Sequence, residues 1–137
     1  MLSVLEVKMA LASLPRPDLA AHREALKLPP PVLVKELVAL IGRKLTAYVG
    51  GAKDVREVDR WMAGTDPGAD AEQRLRLTFQ LARMLSEHDG AETAQAWLIG
   101  LNPELGDRSP LRLLKEGELN KVGQAITDAA RNFLGCG

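Results

Sequence analysis

The sequence predicts an all-α protein, and three observations carry that prediction. Apolar residues recur at three- and four-residue intervals in five segments beyond residue 31. Helix stops and starts built from Pro, Gly, Asn, Asp and Ser separate those segments. None of the five keeps the strict alternation of a half-buried strand, and no internal repeat is visible.

In chain order, residues 1–14 are apolar on both faces (Leu2, Val4, Leu5, Val7, Met9, Leu11, Leu14), so period alone leaves helix and strand open there. This arm needs covering, by its own domain or by a second copy. Pro15-Arg16-Pro17 breaks it, and 18–27 reads as a short helix. Pro29-Pro30-Pro31 reads as a stiff polyproline spacer. A helix over 32–41 follows from Val34, Leu37, Val38 and Ile41, with Gly42 at its end. A short helix over 44–48 is closed by Gly50-Gly51. Asp54 suits the N-cap or first turn of a helix to Met62 that turns Val55, Val58 and Met62 inward, with Trp61 flanking. Gly64 ends that helix, and Thr65-Asp66-Pro67-Gly68 is a turn. The longest helix, 71–88, carries two apolar stripes: Leu75, Phe79, Ala82 and Leu85, then Leu77, Leu81 and Met84. A helix apolar on two sides is sandwiched, so this one is the expected beam of the fold.

Beyond the Asp89-Gly90 break, Ala94, Trp97, Leu98 and Leu101 share a helical face, and Asn102-Pro103 stops that helix. Leu105-Gly106-Asp107-Arg108 is a tight turn. Ser109 then caps a short helix with Pro110 at its first position, where the missing N–H costs nothing. Leu111, Leu113 and Leu114 form its apolar side, and Gly117 is expected to end it in the left-handed conformation. A last helix opens at Glu118 with Leu119, Val122, Ile126, Ala129 and Phe133 on one side, and runs out at Leu134-Gly135.

Composition narrows the chemistry. The 137 residues make one domain or two very small ones, and five aromatic side chains are expected to anchor core layers. Net charge is zero, unlike a protein that coats nucleic acid through its overall charge. Residues 1–88 carry 13 Lys/Arg against 11 Asp/Glu; residues 89–137 carry 5 against 7, which permits a more basic partner for the C-terminal part. The single cysteine, Cys136, rules out an internal disulfide and fits a reducing compartment. His22 and His88 lie far apart with no ligand-spaced Cys or carboxylate, so no metal is expected. Phosphate-binding glycine loops and nucleophile-elbow motifs are absent, and neither an enzyme activity nor a cofactor is expected. No signal peptide or membrane span is read, which implies a cytoplasmic protein.

The ordered set W-L-x-G-x-N-P-x-L from Trp97, G-x-R-x-P-L-x-L-L from Gly106 and G-E-x-x-x-V from Gly117 resembles the toxin-binding domain of the bacterial Xre/MbcA/ParS antitoxins. The match covers the last third of the chain and extends more loosely over the middle third, where that family carries an Xre-type helix-turn-helix. The resemblance implies an N-terminal arm (1–30), a helix-turn-helix unit with the long central helix (31–88) and a small C-terminal helical toxin-binding domain (89–137). It implies an antitoxin that forms a hetero-oligomer with a RES-domain, NAD-degrading toxin; a homodimer is expected besides, with the arm 1–14 as the element that would pair with a second copy. Carried over by position, Arg108, Arg112, Lys115 and Glu118 would meet the toxin. Arg131, Asn132, Phe133, Leu134 and Gly135, continued by Cys136-Gly137, would block its active site. Phe133 and Leu134 fit either a plug or the last turn of a core helix.

The candidate DNA reader is the segment 43–60. As a helix-turn-helix, its second helix would turn Arg56 and Arg60 to the groove while Lys44 and Lys53 meet phosphates of operator DNA. Against this, the first helix of the pair is shorter than in the Xre pattern, and Asp54, Glu57 and Asp59 beside the cations repel phosphate.

Overall fold

The computed structural model describes residues 28–135. The arm 1–14, the helix expected over 18–27, His22 and Cys136 lie outside the described residues. The described residues form six α-helices: α1 (Pro30–Gly50), α2 (Val55–Met62), α3 (Ala69–Asp89), α4 (Ala91–Ile99), α5 (Pro110–Glu116) and α6 (Leu119–Leu134), with a 3-10 turn at Pro103–Leu105. The chain is all-α as expected; among the described residues the single β-bridge joins Asn102 and Arg108.

The prolines at the start do not form a three-residue spacer. Pro29 alone is extended (φ −65°, ψ 154°), and Pro30 and Pro31 begin α1, where no intrahelical N–H is needed. Leu33, Val34, Leu37 and Ile41 are buried along it. Gly42 then breaks the helix with φ 88° and ψ 166°, a conformation side-chain-bearing residues rarely adopt. The break frees carbonyls that would otherwise accept within the helix. Thr46 Oγ1 donates to the Gly42 carbonyl at 2.7 Å, and Gln95 Nε2, from α4, donates to the Leu40 carbonyl at 2.8 Å. α1 is therefore two helical segments, 30–41 and 43–50, joined by a kink at Gly42.

α3 lies at the centre. Leu75, Phe79, Leu81, Ala82 and Leu85 are fully buried and Met84 nearly so. Each large apolar side chain taken out of water contributes about 1.5–3 kcal/mol before chain entropy is counted. α3 packs on α1, α4, α5 and α6, so both expected stripes are covered. Its polar side chains tie the ends of other elements. Arg74 donates to the carbonyls of Val49 (2.9 Å) and Gly50 (3.0 Å), satisfying the C-terminus of α1. Arg76 donates to the carbonyl of Leu28 at 2.8 Å. Thr78, fully buried, donates to the Arg74 carbonyl one turn back.

Two further expectations are corrected. Trp61 does not flank α2; it is buried with Val58, while Val55 and Met62 are partly covered. Leu101 does not extend the buried face of Ala94 and Leu98. α4 ends at Ile99 because Gly100 is extended (ψ 155°), and Leu101 is left 76 % exposed.

Gly117 also departs from its expected role. It is extended (φ −81°, ψ 163°), not left-handed. What requires glycine there is close approach: a Cβ would lie 2.7 Å from the Leu113 carbonyl oxygen and 2.9 Å from a methyl of Val122. α5 and α6 thus meet too tightly at this corner for any side chain. Gly117→Ala is expected to lower the unfolding free energy by about 1–3 kcal/mol, the range for forcing a methyl into a packed site. Urea denaturation measures it, and an unchanged midpoint would show that the corner yields freely.

Candidate functional site

The C-terminal helices converge on one groove. α4 ends before Gly100, the chain turns out through Leu101 and Asn102, and Pro103 starts the 3-10 turn with Asn102 as its cap. The Asn102 side chain accepts from the Glu104 N–H at 2.9 Å. α6 comes alongside and ends at Gly135, which is left-handed (φ 75°) and returns its N–H to the carbonyls of Arg131 and Asn132. Between these ends lies an open groove of about 410 Å³, walled by Trp97, Leu101, Pro103 and Phe133, with Ala129 and Asn132 on the α6 side.

Two contacts hold its walls together. The Trp97 and Phe133 rings sit 6.4 Å apart, tilted by 48°, a spacing aromatic pairs favour. Asn132 Nδ2 donates to Glu104 Oε2 at 3.2 Å and bridges the last turn of α6 to the 3-10 turn. Phe133 is therefore neither a free plug nor a core residue. Its ring leans on Trp97 and remains 48 % exposed. Leu134 packs partly against the core.

The other residues expected to meet a partner fall elsewhere. Arg108 lies outside the groove lining and donates to the Leu105 carbonyl at 3.0 Å, closing the 3-10 turn. Arg112 pairs with Glu116 at 3.0 Å, and that hydrogen bond, with the carboxylate's charge, raises its pKa. Lys115 places its ammonium 4.4 Å over the ring of Tyr48, joining α5 to the second segment of α1. Glu118 precedes α6, pairs with Lys121 at 3.4 Å and lines a separate polar depression with Asp70, Gln73 and Arg74. Arg131 lies in the last turn of α6, 3.9 Å from Asp128. From sequence, Leu101 is expected only on a helix face, Pro103 only as a helix stop, and Glu104 as a turn position that is solvated unless a partner sits there. Their signal was the helix stop at Gly100, three residues ahead of the proline.

The cations of the candidate DNA reader are exposed on and between the second segment of α1 and α2. Lys44 stands on the former and Arg60 on the latter. Arg43 is bonded to Asp59, and Arg56 Nη2 lies 3.3 Å from Asp54. Glu57 accepts the backbone N–H of Lys53 at 2.9 Å. Acids and bases of this face thus offset one another. Among the described residues, no group of three or more His, Cys, Asp or Glu is placed to hold a metal ion. No described helix is long and apolar enough to cross a membrane.

No protein-family model, curated protein or solved structure matches this chain.

Asp54 caps α2 by accepting the Glu57 N–H at 3.1 Å, and this bond holds its carboxyl below the ordinary value of 3.8. A lowered folded-state pKa contributes stability that is present above the ordinary carboxylate value and lost as pH falls through the depressed one. Wild type is therefore expected to melt above Asp54→Asn at neutral pH, with the gap closing under acid. Thermal melts of both proteins across about pH 7 to 2 check this; a gap that persists in acid would assign the difference to packing.

Proposed function

We propose that this chain is an antitoxin of a type II toxin–antitoxin system, acting in the cytoplasm, that binds a RES-domain, NAD-degrading toxin and inhibits it by occlusion. The observation that carries the reading is the groove at the ends of α4 and α6. Leu101 and Phe133 stand exposed in it, inside the same stretch that resembles the toxin-binding domain. Large apolar side chains left at a surface and backed by a second aromatic are the make-up of a binding hot spot. Inhibition of this kind asks no chemistry of the antitoxin. It asks for an apolar end that covers an opening, and the last turn of α6 is tied to its surroundings by the Phe133–Trp97 ring contact and the Asn132–Glu104 bond.

A second reading, regulation of its own operon through DNA, draws on the exposed Lys44, Arg56 and Arg60 on neighbouring elements. It uses a different surface and is compatible with the first. A band retarded on upstream DNA at low salt and lost in Arg56→Ala with Arg60→Ala supports it; no band from wild type removes it.

Co-expression with the product of the adjacent open reading frame tests the antitoxin reading. Removing α6 beyond Asp128 would also strip the buried Ala129 and Ala130 from the core, so a point substitution is the cleaner probe. Wild type is expected to co-purify with the toxin and restore growth. Phe133→Asp is expected to weaken the complex by at least about 30-fold, the effect of losing one hot spot, with its helical circular dichroism retained. A neighbour without toxicity that forms no complex, or full protection by Phe133→Asp, would overturn the reading.

A further inference from the structure

The groove has a polarity that its apolar walls do not by themselves require. Among the side chains lining it, Glu104 is the ionisable one. One of its oxygens accepts from Asn132 Nδ2 at 3.2 Å, which places the carboxylate at the groove edge. The C-terminus of α6 ends against the same groove, and a helix C-terminus carries the negative pole of the helix dipole. The nearest cation on α6, Arg131, is absent from the lining and stands near Asp128. Arg108, on the other side of the turn, is engaged with the Leu105 carbonyl. The groove is therefore apolar on its walls and negative at its edge.

From this charge complementarity we infer that the groove takes a protein segment in which a large apolar side chain has a lysine or arginine beside it. The apolar side chain seats against Trp97, Leu101 and Phe133, and the cation meets the Glu104 carboxylate. The inference deepens the antitoxin reading, on which it rests for the occupant being a partner protein, by stating what the partner must offer. An acidic segment would place its charge beside a fixed carboxylate and a negative helix end. A purely apolar segment would fill the walls but leave Glu104 without an ionic partner.

The test needs no toxin, so its failure and the failure of the antitoxin reading can be told apart. The probes are the capped dipeptides Ac-Phe-Arg-NH2, Ac-Phe-Glu-NH2 and Ac-Ala-Arg-NH2, titrated at millimolar concentration into the isotope-labelled full chain. The readout is the indole N–H signal of Trp97, with that of the buried Trp61 as internal reference. Ac-Phe-Arg-NH2 is expected to move the Trp97 signal and leave Trp61 in place. Ac-Phe-Glu-NH2 is expected to bind about five-fold more weakly or worse, the effect of one exposed charge pair. Ac-Ala-Arg-NH2 is expected to move it little. Glu104→Gln, which keeps an acceptor for Asn132, is expected to erase the preference for arginine while retaining the response to phenylalanine. Equal response to the arginine and glutamate peptides overturns the inference, as does no response to Ac-Phe-Arg-NH2. A Trp97 signal that moves with protein concentration alone assigns the groove to a second copy of this chain and overturns it too.

Discussion

The burial of α3 on both sides is the constraint on which the other elements depend. A helix with five fully buried apolar side chains around Phe79 cannot be covered by one neighbour, so α1 takes one side and the C-terminal helices share the other. Polar side chains that emerge beside the covered stripes of α3 find backbone carbonyls. Arg74 reaches the last carbonyls of α1, Arg76 reaches the Leu28 carbonyl, and Thr78 turns back on its own helix. A buried donor without an acceptor costs about 1–3 kcal/mol, so these bonds are conditions of the packing as much as additions to it. Every buried side-chain polar atom among the described residues has a partner.

The groove follows from the same arrangement. α4, α5 and α6 are anchored by Leu98, Leu114 and Ile126, all fully buried, while Leu101 just beyond α4 and Phe133 in the last turn of α6 stay exposed. Short helices have a large share of their length in ends. Where α4 and α6 both stop, at Gly100 and Gly135, the chain leaves apolar side chains at the surface with too little helix left to cover them. The α2 face is different. Its charged residues lie on α2, on its N-cap and on the second segment of α1, and Asp54 and Asp59 stand against Arg56 and Arg43.

What could be read from sequence was what is decided locally. Asp54 and Ser109 cap their helices as expected, each accepting the N–H three residues on, because an N-cap is settled within one turn. The break at Gly42 and both stripes of α3 were legible for the same reason. Gly117 was assigned the right place and the wrong cause, since its close approach to Val122 depends on how α5 and α6 meet. Trp61 and Leu101 were misassigned because periodicity gives a face and does not say where the helix ends or what covers it. The Glu104–Asn132 bond spans 28 residues and has no local signature at all. The contact that places Glu104 at the edge of the groove was therefore beyond a sequence-only reading, while the small excess of acids in 89–137 only permitted a more basic partner.

The division of labour within the groove decides how a partner would be chosen. Trp97 and Phe133 supply area, and burying area is indifferent to which apolar side chain arrives. Selectivity must come from a group that discriminates, and Glu104 is the charged side chain placed to do so. An exposed carboxylate adds little to affinity, yet it steers encounter and rejects like charge, and both effects weaken with salt. A partner taken up as proposed would be bound through the aromatics and selected through one acid. The Asn132–Glu104 bond matters because it holds that acid at the groove edge: a swinging carboxylate would be solvated away from the groove, and the surface would keep its adhesion while losing its choice of partner.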